Sequence, residues 1–245
     1  GYSDIIIGSE GFLTVGKVYC FLGSPSAISA TPDWTYEDII NGGLLGYSVS
    51  AAGDVNGDGY NDVIVGNPAY GNGEAGEGRA LVFNGSGTGL SPAPNWTNES
   101  NQASANYGNS VFTAGDINGD GFSDVIVGSN LFDNGDSDEG RAFVYHGSAT
   151  GLSLTANWIA ESDQDSAYFG NCVSTAGDVN GDGYSDIIIG AKQYTNGQKF
   201  EGRVFVWFGS STGLGANGTP LNADWSAESD QARSYLWSSV ATVGD

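Results

Sequence analysis

The chain has 245 residues, 39% apolar and 15% charged, with 40 glycines and 12% aromatics; disordered chains carry few aromatics and little apolar surface, so this composition suits a globular, glycine-turned all-β protein. Its 29 acidic and 7 basic residues leave a formal net charge of -22, which argues against nucleic acid and anionic membrane partners and makes cations the natural ones. No stretch approaches the ~20 apolar residues of a membrane span, and no signal-peptide pattern opens the chain.

From the N-terminus, Gly1-Tyr2-Ser3-Asp4 runs into the apolar DIIIG of 4–8, then GKVYCFLGS at 16–24, Trp34, and LGYSVSAAGD at 45–54. The same landmarks return. GDVNGDGYNDVIVG (53–66) leads to GRALVFNGS (78–86), Trp96 and YGNSVFTAGD (107–116). GDINGDGFSDVIVG (115–128) leads to GRAFVYHGS (140–148), Trp158 and FGNCVSTAGD (169–178). GDVNGDGYSDIIIG (177–190) leads to GRVFVWFGS (202–210), Trp225 and LWSSVATVGD (236–245). Short runs rich in Val, Ile, Phe and Tyr, bounded by Gly, Asn and Ser, predict β-strands, and no segment has a helical period of useful length.

Each unit should supply about four strands, with approximate bounds 1–45, 46–107, 108–169 and 170–236, and 237–245 starting a further unit. One small sheet cannot bury both faces, so repeats of this size and strand number predict stacked blades of a β-propeller; solenoid units are usually shorter. The chain begins and ends inside the same motif, so it reads as a processed or partial piece of a longer array, with self-association through the end blades as the alternative.

The acidic loop explains the charge. Counting from its first aspartate, side-chain oxygens stand at positions 1, 3, 5 and 9, a carbonyl at 7 adds a fifth donor, and glycine at 6 permits a tight curl. The three complete sets are Asp54, Asn56, Asp58, Tyr60 and Asp62; Asp116, Asn118, Asp120, Phe122 and Asp124; and Asp178, Asn180, Asp182, Tyr184 and Asp186. Asp4 matches position 9 and Asp245 position 1 of partial copies. Hard oxygen donors without His or Cys select Ca2+ over zinc or copper. Carboxylates held together repel one another, and a divalent cation reverses that. An Asx-rich turn without metal would explain one copy, though not the same oxygens three times. An EF-hand needs Glu at position 12, where Val65, Val127 and Ile189 stand, and flanking helices where strands are predicted.

With these loops, Phe169-Gly170 (variants Tyr107-Gly108 and Leu45-Gly46), and the triplets GNP, GSN and GAK at 66, 128 and 190, the units resemble FG-GAP repeats, the blades of the integrin α-subunit propeller. The resemblance implies a propeller, usually seven-bladed, with calcium loops on one face. Leu236-Trp237 replaces the FG pair in the last unit, and the loop after the first DIIIG is four residues short.

Lys17, Arg79, Arg141 and Arg203 share one repeat position, three of them after Glu77, Glu139 and Glu201; a recurrent ion pair inside each blade is expected rather than an anion-binding ring. The single histidine, His146, has no nucleophile motif around it, and the acid pairs Asp136/Asp138 and Asp163/Asp165 sit in polar connections, so no catalytic residue is assigned. Cys20 and Cys172 are expected to be buried small apolar residues, and the periodic Trp34, Trp96, Trp158 and Trp225 to be core. Asn84, Asn95, Asn98 and Asn217 open N-x-S/T triplets, which would accept glycans in an extracellular protein. The expectation is an extracellular or cell-surface calcium-binding module for adhesion or ligand recognition. Its protein or carbohydrate ligand would bind at variable loops, without nucleic acid or membrane insertion. A surface-fibre repeat and a polysaccharide-acting enzyme are the alternatives.

Overall fold

The structure, a computed structural model, describes residues 2–11, 16–25, 27–38, 44–235 and 239–242. The expectations for Leu236, Trp237 and Asp245 fall outside the described residues. Among the described residues all regular structure is β. The first sheet holds β1 (Ile5–Ser9), β2 (Lys17–Phe21) and β3 (Trp34–Glu37). The second holds β4 (Ser48–Gly53), β5 (Asp62–Asn67), β6 (Arg79–Phe83) and β7 (Trp96–Glu99). The third holds β8 (Tyr107–Gly115), β9 (Asp124–Ser129), β10 (Arg141–Tyr145) and β11 (Trp158–Glu161). The fourth holds β12 (Phe169–Gly177), β13 (Asp186–Ala191), β14 (Arg203–Trp207) and β15 (Trp225–Glu228). Each sheet is an antiparallel meander, the form of a propeller blade. The first differs from the expected four strands: among the described residues it has three, with no counterpart of β4, β8 or β12.

The core lies between sheets. Ile64, Val82 and Trp96 of the second sheet pack with Val125, Val127 and Tyr145 of the third, and Ile126, Val144 and Trp158 of the third pack with Ile187, Ile189 and Trp207 of the fourth. Both faces of a middle strand are therefore buried, which explains runs such as DVIVG in place of an apolar–polar alternation. In the first three sheets the outer-strand tryptophan meets an aromatic of the next blade: Trp34 with Phe83, Trp96 with Tyr145 and Trp158 with Trp207, at centroid distances of 5.0, 4.9 and 5.3 Å. Its indole N–H donates to a carbonyl of that next blade, on Ser91, Ser153 or Ala216.

Glycine sets how near the blades come. A Cβ on Gly128 would lie 2.1 Å from the Gly170 carbonyl oxygen, and one on Gly66 2.0 Å from that of Gly108. The glycine closing each apolar run and the glycine of each FG pair are thus the two sides of a backbone contact between successive blades. The innermost strands are linked as well, Val111 N–H donating to Ser48 Oγ and Val173 N–H to Ser110 Oγ. They border a cavity of about 630 Å³ that includes Asn109, Asn171 and Lys192.

The expected ion pairs form in three sheets, though not with the glutamates that precede the cations. Lys17 pairs with Glu37, Arg141 with Glu161 at 2.8 Å and Arg203 with Glu228 at 3.7 Å, each across two neighbouring strands. Arg79 departs from the expected intra-blade pairing: its guanidinium reaches Asp38 of the preceding unit while lying 3.8 Å from the Tyr70 ring centroid. Glu77, Glu139 and Glu201 are buried. Glu77 and Glu201 accept backbone N–H groups of Asn72 and Asn196, closing the connections before β6 and β14. Cys20 and Cys172 are both buried. Trp96 and Trp158 are core, Trp34 is half-buried, and Trp225 departs from its expected core position, being 50% exposed.

Candidate metal centre

The acidic loops join the innermost strand to the second, β4 to β5, β8 to β9 and β12 to β13. Antiparallel order puts them at one end of the blades beside the β6–β7 type of connection, and the β5–β6 and β7–β8 types at the other end.

The three loops share one set of hydrogen bonds. The position-1 carboxylate collects the backbone of the turn: Asp54 Oδ1 accepts from Gly57 N and Asp58 N at 2.7 and 3.1 Å, and Oδ2 from Gly59 N at 2.8 Å. Asp116 and Asp178 do the same for 119–121 and 181–183. Asn56 Oδ1 accepts from Asp58 N, Asp58 Oδ1 from Tyr60 N, and Asn56 Nδ2 donates to Asp58 Oδ2 at 2.9 Å. Gly57 and Gly59, at φ 73° and 88°, provide the left-handed steps that this curl needs.

Position 9 has a second duty. Asp62, fully buried, accepts from Val55 N at 2.9 Å within its own loop and from Gly85 N at 2.8 Å in the connection after β6. Asp124 binds Ile117 and Gly147 in this way, and Asp186 binds Val179 and Gly209. In the first sheet Asp4 accepts from Gly23 N at 2.8 Å, the counterpart of the Gly85 bond. Burial pushes the Asp124 carboxyl up to about 7; the Gly147 and Ile117 N–H groups pull it down, and Asp120 and Asp116 add to the rise. Asp62 and Asp186 are raised by burial in the same way.

The loops are chained to one another. Ser123 N donates to Asp54 O and Ser185 N to Asp116 O, linking each loop to the next. A Cβ on Gly57 would meet the Phe122 ring at 2.5 Å, and one on Gly119 the Tyr184 ring at 2.6 Å. The aromatic at position 7 therefore covers the preceding loop.

The donor set fits a hard divalent cation: it is all oxygen, and the curl brings positions 1, 3 and 5 into one hydrogen-bonded turn. Position 9 stands at its base, tied to position 2. In this geometry the oxygens are engaged by backbone N–H groups and by the Asn56 amide. Among the described residues, no three acidic, histidine or cysteine side chains converge as a metal cluster. His146 lies beside the second complete loop, its Nδ1 3.4 Å from Asn118 Nδ2, and borders a cavity of about 650 Å³ with Trp96 and Asn157.

At the opposite end, connections 68–78, 130–140 and 192–202 meet those after β7, β11 and β15: Ser104 N donates to Ala75 O, Ser166 N to Ser137 O and Arg233 N to Lys199 O. Every described non-glycine residue with left-handed backbone lies at this end, including Tyr168, Phe200, Arg233 and Tyr235. Such backbone persists only where the surroundings hold it. Asp138 and Asp163 are among these residues, so one member of each acid pair, Asp136/Asp138 and Asp163/Asp165, belongs to a repeated turn.

The FG-GAP repeat family matches the chain three times, at residues 45–83, 107–145 and 169–207. Integrin alpha-5 of Xenopus laevis is 28% identical over 224 residues, covering 87% of this chain and 21% of that protein. Integrin alpha-4 of Xenopus laevis is 30% identical over 226 residues, covering 86% and 19%. Integrin alpha-IIb of Mus musculus is 36% identical over 141 residues, covering 53% and 13%. The chain spans about a fifth of the length of the two Xenopus relatives. The three matched stretches each run from the innermost strand of a four-stranded sheet to its third. The chain is an FG-GAP repeat protein whose whole repeats form integrin-like β-propeller blades.

Proposed function

We propose that this chain is an extracellular or cell-surface recognition module, with Ca2+ in the loops starting at Asp54, Asp116 and Asp178 and a protein or carbohydrate ligand at the opposite end. The observation that carries the metal reading is the triple recurrence of one loop geometry with side-chain oxygens at positions 1, 3, 5 and 9. In each loop the four side chains and the position-7 carbonyl would hold the ion, with Asp4 and Asp245 serving partial copies. Bound calcium would neutralise the clustered carboxylates and brace the turn that feeds the second strand.

Recognition belongs at the other end, where connections 68–78, 130–140 and 192–202 differ in sequence on a repeated backbone frame. The chain is read as a binder, not an enzyme, because no residue there departs from the repeat as a singular reactive group. Nucleic acid is disfavoured by the charge of -22, and no helix among the described residues is long and apolar enough to cross a membrane. Of the glycan acceptor triplets, Asn95 and Asn217 are exposed and Asn84 is half-buried, while the Asn98 amide donates to Leu154 O.

The test is capture of the fluorescently labelled chain on arrays of extracellular matrix proteins and of glycans, with calcium and after its removal. Calcium-dependent capture that substitutions within 130–140 abolish supports the reading. Failure to bind either array, or turnover of an arrayed polysaccharide, contradicts it.

A further inference from the structure

The chain's single histidine, His146, stands where the neighbouring units carry Asn84 and Phe208, and its ring bridges two parts of the fold. On one side Nδ1 lies 3.4 Å from Asn118 Nδ2, in the second complete loop. On the other, a Cβ on Gly213, in the connection after β14, would lie 3.3 Å from His146 Cε1. Gly151, which holds the matching position one unit earlier, has nothing within 4 Å. The connection that bears Gly213 is tied to the same loop, Ser210 N donating to Ile117 O at 3.1 Å. The imidazole is thus held between the loop and the next blade. Among the described residues, no hydrogen bond joins Asn84 to Asn56, and Phe208 has no side-chain acceptor to offer Asn180.

The neighbours of Asn118 fix which atom faces the ring. Asp120 N, a donor, stands 3.0 Å from Asn118 Oδ1, so the amide nitrogen is the atom turned to Asp120 Oδ2, at 2.9 Å, and to His146. A donor facing Nδ1 requires a lone pair there, so the ring carries its hydrogen on Nε2. Nε2 is buried without a hydrogen-bond partner, which leaves Asn118 as the ring's polar contact among the described residues. The amides of Asn56 and Asn180 have one acceptor each, Asp58 and Asp182. The Asn118 amide has two.

We propose that His146 is a positioning residue for the second loop: its Nδ1 fixes the amide of Asn118, whose Oδ1 would serve the ion, and so raises the calcium affinity of that loop. The inference rests on the calcium reading given above. In the loops of Asp54 and Asp178 the asparagine amide depends on a carboxylate that the ion also needs. Asn118 keeps a neutral acceptor when Asp120 turns to the ion. Partners that orient a metal ligand are worth about 10–100-fold in affinity. A bond of 3.4 Å to a neutral acceptor belongs at the low end, about tenfold.

The test has two arms. In the first, long-range proton–nitrogen NMR of the metal-free chain at pH 8 reads the one imidazole present without any substitution. The expected signal is hydrogen on Nε2 and a bare Nδ1; hydrogen on Nδ1 overturns the proposal. In the second, Asp58→Ala with Asp182→Ala leaves only the second of the three complete loops intact, and calcium titration calorimetry measures its affinity. His146→Phe keeps a ring against Gly213 and removes the acceptor, and Phe208 shows that the repeat accommodates it. It should weaken this loop about tenfold and leave the first loop, isolated by Asp120→Ala with Asp182→Ala, unchanged. An unchanged second loop overturns the proposal, as does equal weakening of the first, which would mark a general structural role. Three ions on the wild-type chain with either of those results defeat the positioning role alone; no ion on any loop defeats the calcium reading and the positioning role with it.

Discussion

Replacing Gly128 by alanine isolates the close approach of blades. The added methyl carbon would stand 2.1 Å from the Gly170 carbonyl oxygen, 3.1 Å from its carbon and 3.4 Å from Val173 Cγ1. Gly128 has an ordinary negative-φ strand conformation, so the cost is steric and not conformational. Overpacking in a tight core costs about 1–3 kcal/mol. Here the obstacle is backbone and not the end of a flexible side chain, which puts the effect at about 3 kcal/mol. At about 2–4 °C per kcal/mol for a chain of this size, Tm should fall by roughly 6–12 °C. Gly151→Ala is the control: its φ is 91° but nothing lies within 4 Å of the new carbon, so only the left-handed cost of about 1–2 kcal/mol applies. Urea unfolding followed by tryptophan fluorescence reads both variants. A Gly128→Ala midpoint at or above that of Gly151→Ala would refute the backbone contact as the reason for glycine.

Trp158→Ala removes a side chain 2% exposed, with its bond to Ala216 O and its contact with Trp207, and should cost about 3–5 kcal/mol; Trp225→Ala, on an exposed ring, should cost under about 1 kcal/mol in the monomer, and equal losses in denaturant titration would contradict the burial described. Asp186→Ala should destabilise even the metal-free protein by about 1–3 kcal/mol, because Val179 and Gly209 lose their acceptor. Asp182→Ala should act mainly when calcium is present, and a large calcium-free loss in its melting curve would show a purely structural role. The Asp124 carboxyl lies at about 7 when folded against ~3.9 unfolded. Its folded pKa is raised, so its stabilising share is present below pH ~4 and lost as pH rises through about 7. Glu139, pushed by burial to about 7, has the same sign. Dialysed, metal-free protein should therefore melt higher at pH 5 than at pH 8; saturating calcium, which needs the ionised carboxylate, should reverse the slope, and identical slopes would contradict the assignment.

The strands and loops were legible because their signals are local: β-branched runs between glycine turns, and four oxygens at fixed spacing in a curl held by Asp54, Asp116 and Asp178. What was not legible depends on distant neighbours. Asp62 shows as a loop oxygen in the sequence, but its bond to Gly85 spans 23 residues and exists only once β5 and β6 pair. Arg79 resembles Arg141 and Arg203 in its repeat, yet Asp38 of the preceding unit takes its guanidinium. Trp225 carries the same periodic mark as Trp158, but burial needs a following sheet, and periodicity records a residue's place in its blade without recording what lies against it. The glycines of the FG pairs stood out as a motif; their purpose became clear only from Gly66 over Gly108 and Gly128 over Gly170.

The central claim is that the three complete loops are calcium sites. Its most direct test is the number of ions bound, read by native mass spectrometry and by isothermal titration of metal-free protein up to ~5 mM calcium, above the ~0.1–1 mM of weak extracellular sites. The complete loops should bind three ions, and Asp120→Ala should reduce the total by one, leaving the loops of Asp54 and Asp178 loaded. No uptake across that range, or a total unchanged by Asp120→Ala, would contradict the account.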